Sequence, residues 1–317
     1  MSNSINEIFK YLSPERVDVL ENQVLRFTQA NYLNDPFEHL PFVSQLVDEA
    51  YSDKLYKETL NPLLQQIANR KLCIDDIPKE YRNAIPDNVK EVVFNFTIGE
   101  ALNLIPAFHP KNLLNLLAIE GNDLGIDYSS LLKDNWNNKF GVLSLTKSYD
   151  NLTMWSHYTR NHEGFVIEFN PRNNYFNKAK NENNLIRRLK EVKYCEVRPK
   201  LTLIDPNMRE EEMLESLIQN ILLTKSNHWE YEEEVRFIQT LEDSDKVLKT
   251  NKQEIHLFGF DSSAIKSVFL GVNISACFKN NLLQILNEPR YLHVNIFQMV
   301  LSRSEYKIEV IEERVNS

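Results

Sequence analysis

Residues 140–169, FGVLSLTKSYDNLTMWSHYTRNHEGFVIEF, decide the fold. Phe140-Gly141-Val142-Leu143-Ser144-Leu145-Thr146 reads as a strand, and Leu152 to Tyr158 returns to helical spacing. Gly164 to Phe169 is again a strand. A strand, a short helix and a second strand within thirty residues point to α+β rather than a helical bundle.

The same pattern continues on both sides. Towards the C-terminus, Val192–Val197, Glu234–Gln239, Ile265–Leu270, Leu292–Phe297 and Tyr306–Val310 read as strands. Met208 to Lys225 reads as a helix, with Glu210, Glu211 and Glu212 near its start and Lys225 near its end, favourable against its macrodipole. Towards the N-terminus, Ile8–Leu12 is a short strand or helix start. Ser13-Pro14 follows as an N-cap with proline in the first turn, then a short helix over Glu15–Glu21 carrying Val17 and Leu20 inward. Val24–Thr28 alternates as a strand. Between Val43 and Asn138 the apolar residues Leu46-Val47, Tyr51, Leu55, Leu60, Leu63-Leu64, Ile67, Ala101-Leu102 and Leu104-Ile105 recur at three- and four-residue spacing, broken by Pro78, Pro86, Pro106 and Pro110. The expectation is one α+β domain over 1–317. Its mixed or largely antiparallel sheet carries a helical insertion, residues 43–138, packed against it.

Composition narrows the function. With 36 Lys+Arg against 45 Asp+Glu the net charge is −9, which argues against non-specific DNA binding. Only seven glycines occur, and neither G-x-G-x-x-G nor G-x-x-x-x-G-K-[ST] is present, which argues against dinucleotide-fingerprint and P-loop folds. Cys73, Cys195 and Cys277 form no C-x-x-C pair, so neither a zinc knuckle nor a disulfide framework is indicated, and no metal site is expected. No secretory signal is read at the N-terminus, and no apolar run approaches the roughly 20 residues that cross a bilayer. A cytoplasmic protein without membrane contact is expected.

Four clusters are richer in polar and aromatic residues than packing requires: Lys10-Tyr11-Leu12-Ser13, Asn34-Asp35-Pro36-Phe37-Glu38, Met154-Trp155-Ser156-His157-Tyr158 and Trp229 through Arg236. On a strand, Glu232, Glu234 and Arg236 would share one face, with Tyr231, Glu233 and Val235 on the other. Two carboxylates and a guanidinium on one face suit charge-assisted contacts to a ligand, or to each other on a solvated strand edge. Asn34-Asp35 before proline suits an Asx-turn. His157 belongs to no metal-ligand spacing with His162 or His228.

In this order the clusters resemble the bacterial domain-of-unknown-function family 2971. The likeness rests on Lys10-Tyr11 with Ser13, Asn34 to Glu38, Ser144-Leu145-Thr146, and Met154-Trp155 with His157-Tyr158. Gly164 to Phe169 and Trp229, Tyr231, Glu232, Glu234 and Arg236 complete it, over about residues 8–310. A more remote resemblance, to ADP-ribosyltransferase folds, implies an activity: cleavage of NAD as a substrate, by an intracellular toxin or antiphage defence effector. It implies Glu234, in Glu232-x-Glu234, as the catalytic glutamate, and Tyr11 and Ser13 in place of the usual His-x-Thr pair. Ser144 and Thr146 would lie on the middle strand, with Trp155 or Tyr158 against nicotinamide and Lys10 or Arg236 on pyrophosphate. His157, Asn34, Asp35, Glu38 and Trp229 would complete the pocket. The partner would be a macromolecular acceptor, protein or nucleic acid, or a small-molecule ligand, and such an effector admits a neutralising or activating protein partner. Two other readings stand beside this one. One is a non-catalytic ligand- or protein-binding module. The other is a Mg²⁺-dependent nuclease using Asp35, Glu38, Glu232 and Glu234.

Overall fold

The computed structural model describes residues 5–38, 42–47, 49–76, 79, 82, 86–104, 109–111, 137–179, 185–204 and 208–314. The chain forms two compact units, one of Met1–Pro41, Ser130–Pro199 and Leu214–Ser317, the other of Phe42–Ser129 and Lys200–Met213.

Strands in the first half are β1 (Ile8–Leu12), β2 (Val24–Gln29), β3 (Phe42–Val47), β4 (Phe140–Thr146) and β5 (Phe165–Phe169). Then come β6 (Leu189–Glu191), β7 (Lys193–Cys195), β8 (Lys200–Ile204), β9 (Thr224–Ser226) and β10 (Glu234–Thr240). The last are β11 (Lys246–Lys249), β12 (Glu254–Gly259), β13 (Ile265–Leu270), β14 (Asn295–Leu301) and β15 (Ile308–Arg314). Eleven of them form one sheet in the first unit, in the order β11-β12-β2-β4-β1-β5-β13-β14-β15, with β10 on β4 and β6 on β10. Only the β13–β14 pairing in it is parallel. The fold is therefore α+β with a mixed, largely antiparallel sheet.

The period-two pattern explains why this sheet is covered on both sides. Ile8 and Leu12 of β1 join Phe165, Ile167, Val268 and Leu270 in a core with Leu282, Ile285 and Leu286 of the helix Ala276–Leu286. The intervening Phe9 and Tyr11 join Val166 and Phe269 in a second core with Met154 and Trp155 of the helix Leu152–Tyr158. Each fully buried large apolar side chain contributes roughly 1.5–3 kcal/mol.

At β4 the sheet divides. One edge of β4 pairs with β10 over its whole length, Phe140 to Thr146. Its other edge is shared: β2 pairs only at Gly141 and Val142, and β1 only at Thr146. Among the described residues, the backbone between those points has no strand partner on that side, and Lys10 Nζ reaches in to donate to the Ser144 carbonyl at 2.8 Å. This split opens a cavity.

Several expected elements are placed differently. The stretch Leu46-Val47, expected to begin the helical block, lies in β3, which pairs in parallel with β8 in the second unit. An aromatic and two β-branched residues in FVSQLV favour that extended pairing. Helices follow at Glu49–Leu55, Asn61–Ile67, Asp87–Val93 and Ile98–Leu104. Pro78, Ile105, Pro106 and residues 112–136 of the block lie outside the described residues. The expected helix 208–225 stops at Leu222, and Lys225 lies on β9, paired in parallel with β7. Among the described residues, no helix is long and apolar enough to cross a membrane.

Candidate functional site

The cavity at the split has a volume of about 240 Å³ and is lined by residues from five separate segments of the first unit, none of them beyond Glu234. Lys10 and Tyr11 come from β1, Asn34 and Glu38 from the turn after β2, Ser144 and Thr146 from β4, and Met154 and Tyr158 from the helix Leu152–Tyr158. Lys225, Glu232 and Glu234 close the inner wall.

Local chemistry sets each of these positions. The Asx-turn expected at Asn34-Asp35 forms: Asp35 Oδ1 accepts from the Phe37 N–H at 2.9 Å, and the Glu38 N–H donates to the Asp35 carbonyl at 3.1 Å. This turn carries Glu38 inward, to 5% exposure. Asn151 caps the Leu152–Tyr158 helix by accepting from the Met154 N–H at 3.1 Å. Its amide also donates to the Tyr231 carbonyl at 2.8 Å, tying that helix to the segment bearing Glu232. Tyr158 then donates to Glu232 Oε1, and Asn34 Nδ2 donates to the Tyr158 hydroxyl at 2.9 Å.

Glu232, Glu234 and Arg236 converge, but not as neighbours on one strand. Glu232 ends the 3₁₀ turn Asn227–Glu232, Glu233 turns the chain with φ 43°, and β10 starts at Glu234. The expected solvated edge is absent as well, because β10 pairs with β4 on one side and β6 on the other. Arg236 lies beneath the cavity. It donates through Nε to Glu234 Oε1 at 2.8 Å, through Nη2 to Glu234 Oε2 at 2.9 Å and to Glu38, and through Nη1 to the Leu222 carbonyl at 2.8 Å. Lys225 Nζ lies 2.7 Å from Glu232 Oε2, 3.2 Å from Glu234 Oε2 and 3.9 Å from Glu38 Oε1. Its ammonium also sits 4.7 Å from the centre of the Trp229 ring.

Burial and charge act against each other here. Loss of solvation pushes the Glu234 carboxyl up from its ordinary value, against the pull of Lys225 and the Ser144 hydroxyl. Burial also works against the Lys225 ammonium, but Glu234 and Glu232 outweigh it and hold that group protonated. Arg236 is brought down to about 9 by burial. Lys10 falls to about 8, through burial first and then repulsion from Arg16. Tyr158 is pushed up by burial and by Glu232, so it remains a hydrogen-bond donor.

The structure gathers Lys10, Tyr11, Asn34, Glu38, Ser144, Tyr158, Glu232 and Glu234 at the cavity, with Asp35 and Arg236 behind it. Other residues expected here are elsewhere. Trp155 is fully buried: it donates Nε1–H to the Tyr149 carbonyl at 2.7 Å and packs edge-on against Tyr11, so it offers no face to a ligand. Ser13 stands at the start of the turn Pro14–Val17, where its side chain makes no capping bond and its carbonyl accepts from the Arg16 N–H at 2.9 Å, and it does not line the cavity. His157 is exposed beside Tyr231, whose hydroxyl is 3.4 Å from Nδ1. Trp229 contributes only beneath Lys225. The residue that sequence reasoning missed is Lys225, whose signal was a strand-like Thr224-Lys225-Ser226 after the apolar Ile221-Leu222-Leu223. Among the described residues, no group of three or more His, Cys, Asp or Glu side chains could hold a metal ion.

Residues 154–237 match the model of a family described as a protein of unknown function, DUF2971. The match takes in Tyr158, Lys225, Glu232, Glu234 and Arg236, and leaves out Lys10, Asn34, Glu38 and Ser144. No curated protein and no solved structure matches the chain.

Proposed function

We propose that this protein cleaves NAD, as an enzyme of ADP-ribosyltransferase type, in the cavity at the split of the sheet. The observation that carries the reading is the meeting of five sequence-distant segments there, with the Lys10 ammonium and the Glu232 and Glu234 carboxylates lining one space. Breaking the bond between nicotinamide and ribose sends the electron pair to nicotinamide and builds positive charge on the ribose. A carboxylate already in place stabilises that charge, as in glycoside cleavage. The acceptor then bonds to the ribose carbon and loses its proton. Lys10 suits a phosphate oxygen, while Phe9, Tyr32 and Tyr158 supply aromatic surface for a planar group. Unchecked cleavage would drain a cell of NAD, which is how this activity would serve a toxin or antiphage effector.

Nicotinamide release from NAD, with and without cell lysate, followed by chromatography, tests the reading. Release should fall by about 10²-fold or more in Glu234→Gln, the scale of losing one group that stabilises transition-state charge. Wild-type rates in a folded Glu234→Gln would remove the proposal. A second reading has one observation in its favour: Glu234 is already held by Arg236 and Lys225, as in a site built to bind rather than react. NAD binding without release under any condition would favour that binding module.

A further inference from the structure

The long sheet ends at β15, and among the described residues no strand pairs with its outer edge. The Ser302 N–H donates to the Lys307 carbonyl at 3.0 Å, after which Val300 lies opposite Glu309 and Gln298 opposite Ile311. Backbone groups of an antiparallel strand point alternately to its two sides, so those of Ile308, Val310 and Glu312 point outward. Ile311 is 54% exposed on this strand, and Leu301, opposite Ile308, is 66% exposed. Such an edge accepts another strand unless its charges forbid it.

The charges select the partner. A net charge of −9 makes most surfaces of two copies repel. Around β15 the signs balance, with Lys279, Arg303, Lys307 and Arg314 against Glu305, Glu309, Glu312 and Glu313. A two-fold axis normal to the sheet keeps each face on its own side, so odd residues meet odd and even meet even. Centring that axis on Ile311 sets Glu309 against Glu313, and centring it on Glu309 or Glu312 sets a glutamate against itself. Centres nearer either end leave most of the strand unpaired. Val310 at the centre sets Lys307 against Glu313, Glu309 against Ile311 and Ile308 against Glu312, so no like charges face each other. Lys307 already has Glu309 at 3.6 Å and Glu313 has Lys279 at 2.6 Å, but the two keep 53% and 35% exposure and can take a further contact.

We infer that two copies of this chain join edge to edge through β15, antiparallel, with Val310 on the two-fold axis. Every outward N–H of Ile308, Val310 and Glu312 then finds a carbonyl of the other copy. The pairing is smaller than a standard interface, so the dimer is weak and reversible. It lies away from the cavity at the split and does not rest on the NAD reading.

Sedimentation velocity of the full chain, with loading raised from micromolar to near-millimolar, tests it, and melting curves report the folding of each variant. A monomer–dimer equilibrium that stops at two copies is expected. Lys307→Glu should weaken it by about tenfold, and adding Glu313→Lys should restore it. Within one copy these residues are about 20 Å apart along the strand, so recovery reports contact between copies. Val310→Pro removes an N–H that β14 does not use and should abolish association. A monomer at every loading, or growth beyond the dimer, would overturn the inference. Dimerisation unchanged in folded Lys307→Glu or Val310→Pro, or not recovered in the double variant, would do the same.

Discussion

The Arg236 guanidinium has 0% exposure and binds two carboxylates and a backbone carbonyl. Removing it would leave Glu38 and Glu234 buried without their main partner. Arg236→Met should therefore lower unfolding stability by about 3–5 kcal/mol, read as a fall in urea midpoint. Adding Glu38→Gln and Glu234→Gln should recover much of that loss, because the stranded charges go with it. Lys10 gives a prediction of opposite character. Its folded value of about 8 lies below its ordinary 10.5, so stability should rise as pH climbs between those values. Anion binding should move the other way, weakening from about pH 7 to about pH 9 as the ammonium is lost. ADP-ribose titrated at both ends checks this, and Lys10→Met should abolish the difference. The carboxylates and Arg236 were legible in the sequence because they share a short period. Lys225 was not, since nothing in a seven-residue gap to Glu232 shows that β9 and the 3₁₀ turn bring the two within 2.7 Å.

At the scale of elements, the start of β5 depends on a close crossing. A Cβ on Gly164 would lie 2.1 Å from the Leu12 carbonyl oxygen, and one on Gly271 would lie 2.1 Å from the His162 carbonyl oxygen. The Gly271 N–H donates to the Gly164 carbonyl at 2.9 Å, so the two glycines meet backbone to backbone. Gly164→Ala and Gly271→Ala should each cost about 1–3 kcal/mol or more, seen as a lower melting temperature, because backbone must move to admit the methyl. The same crossing fixes the end of β1 and hence the approach of Lys10 to β4. Strands with strong apolar runs, such as Phe140–Thr146 and Ile265–Leu270, were readable from sequence alone. Lys246–Lys249 and Glu254–Gly259 were not, because β11 is exposed throughout and β12 starts polar, with little apolar pattern to detect. The helix Ala276–Leu286 also escaped notice, although Ser275 caps it by accepting from the Phe278 N–H at 3.2 Å.

For the whole molecule, the stretch matching DUF2971 is less than a folding unit. Its β5 lies between β1 and β13, and its β10 pairs with β4, all three partners lying outside 154–237. A polypeptide of residues 154–237 alone should lack dispersed amide signals in a proton NMR spectrum, whereas the full chain should show them. A folded fragment would mean that these strands find other partners. The way the sheet holds its buried charges also has a consequence for any molecule that enters the cavity. Glu234 and Arg236 sit on a strand hydrogen-bonded along both edges, and Glu232 is held by Tyr158 and Lys225. In bulk water, solvent dipoles must turn each time a charge appears. Here the dipoles and charges are fixed by the β-ladder before anything enters, so a molecule whose charge distribution fits meets a medium that has nothing left to rearrange.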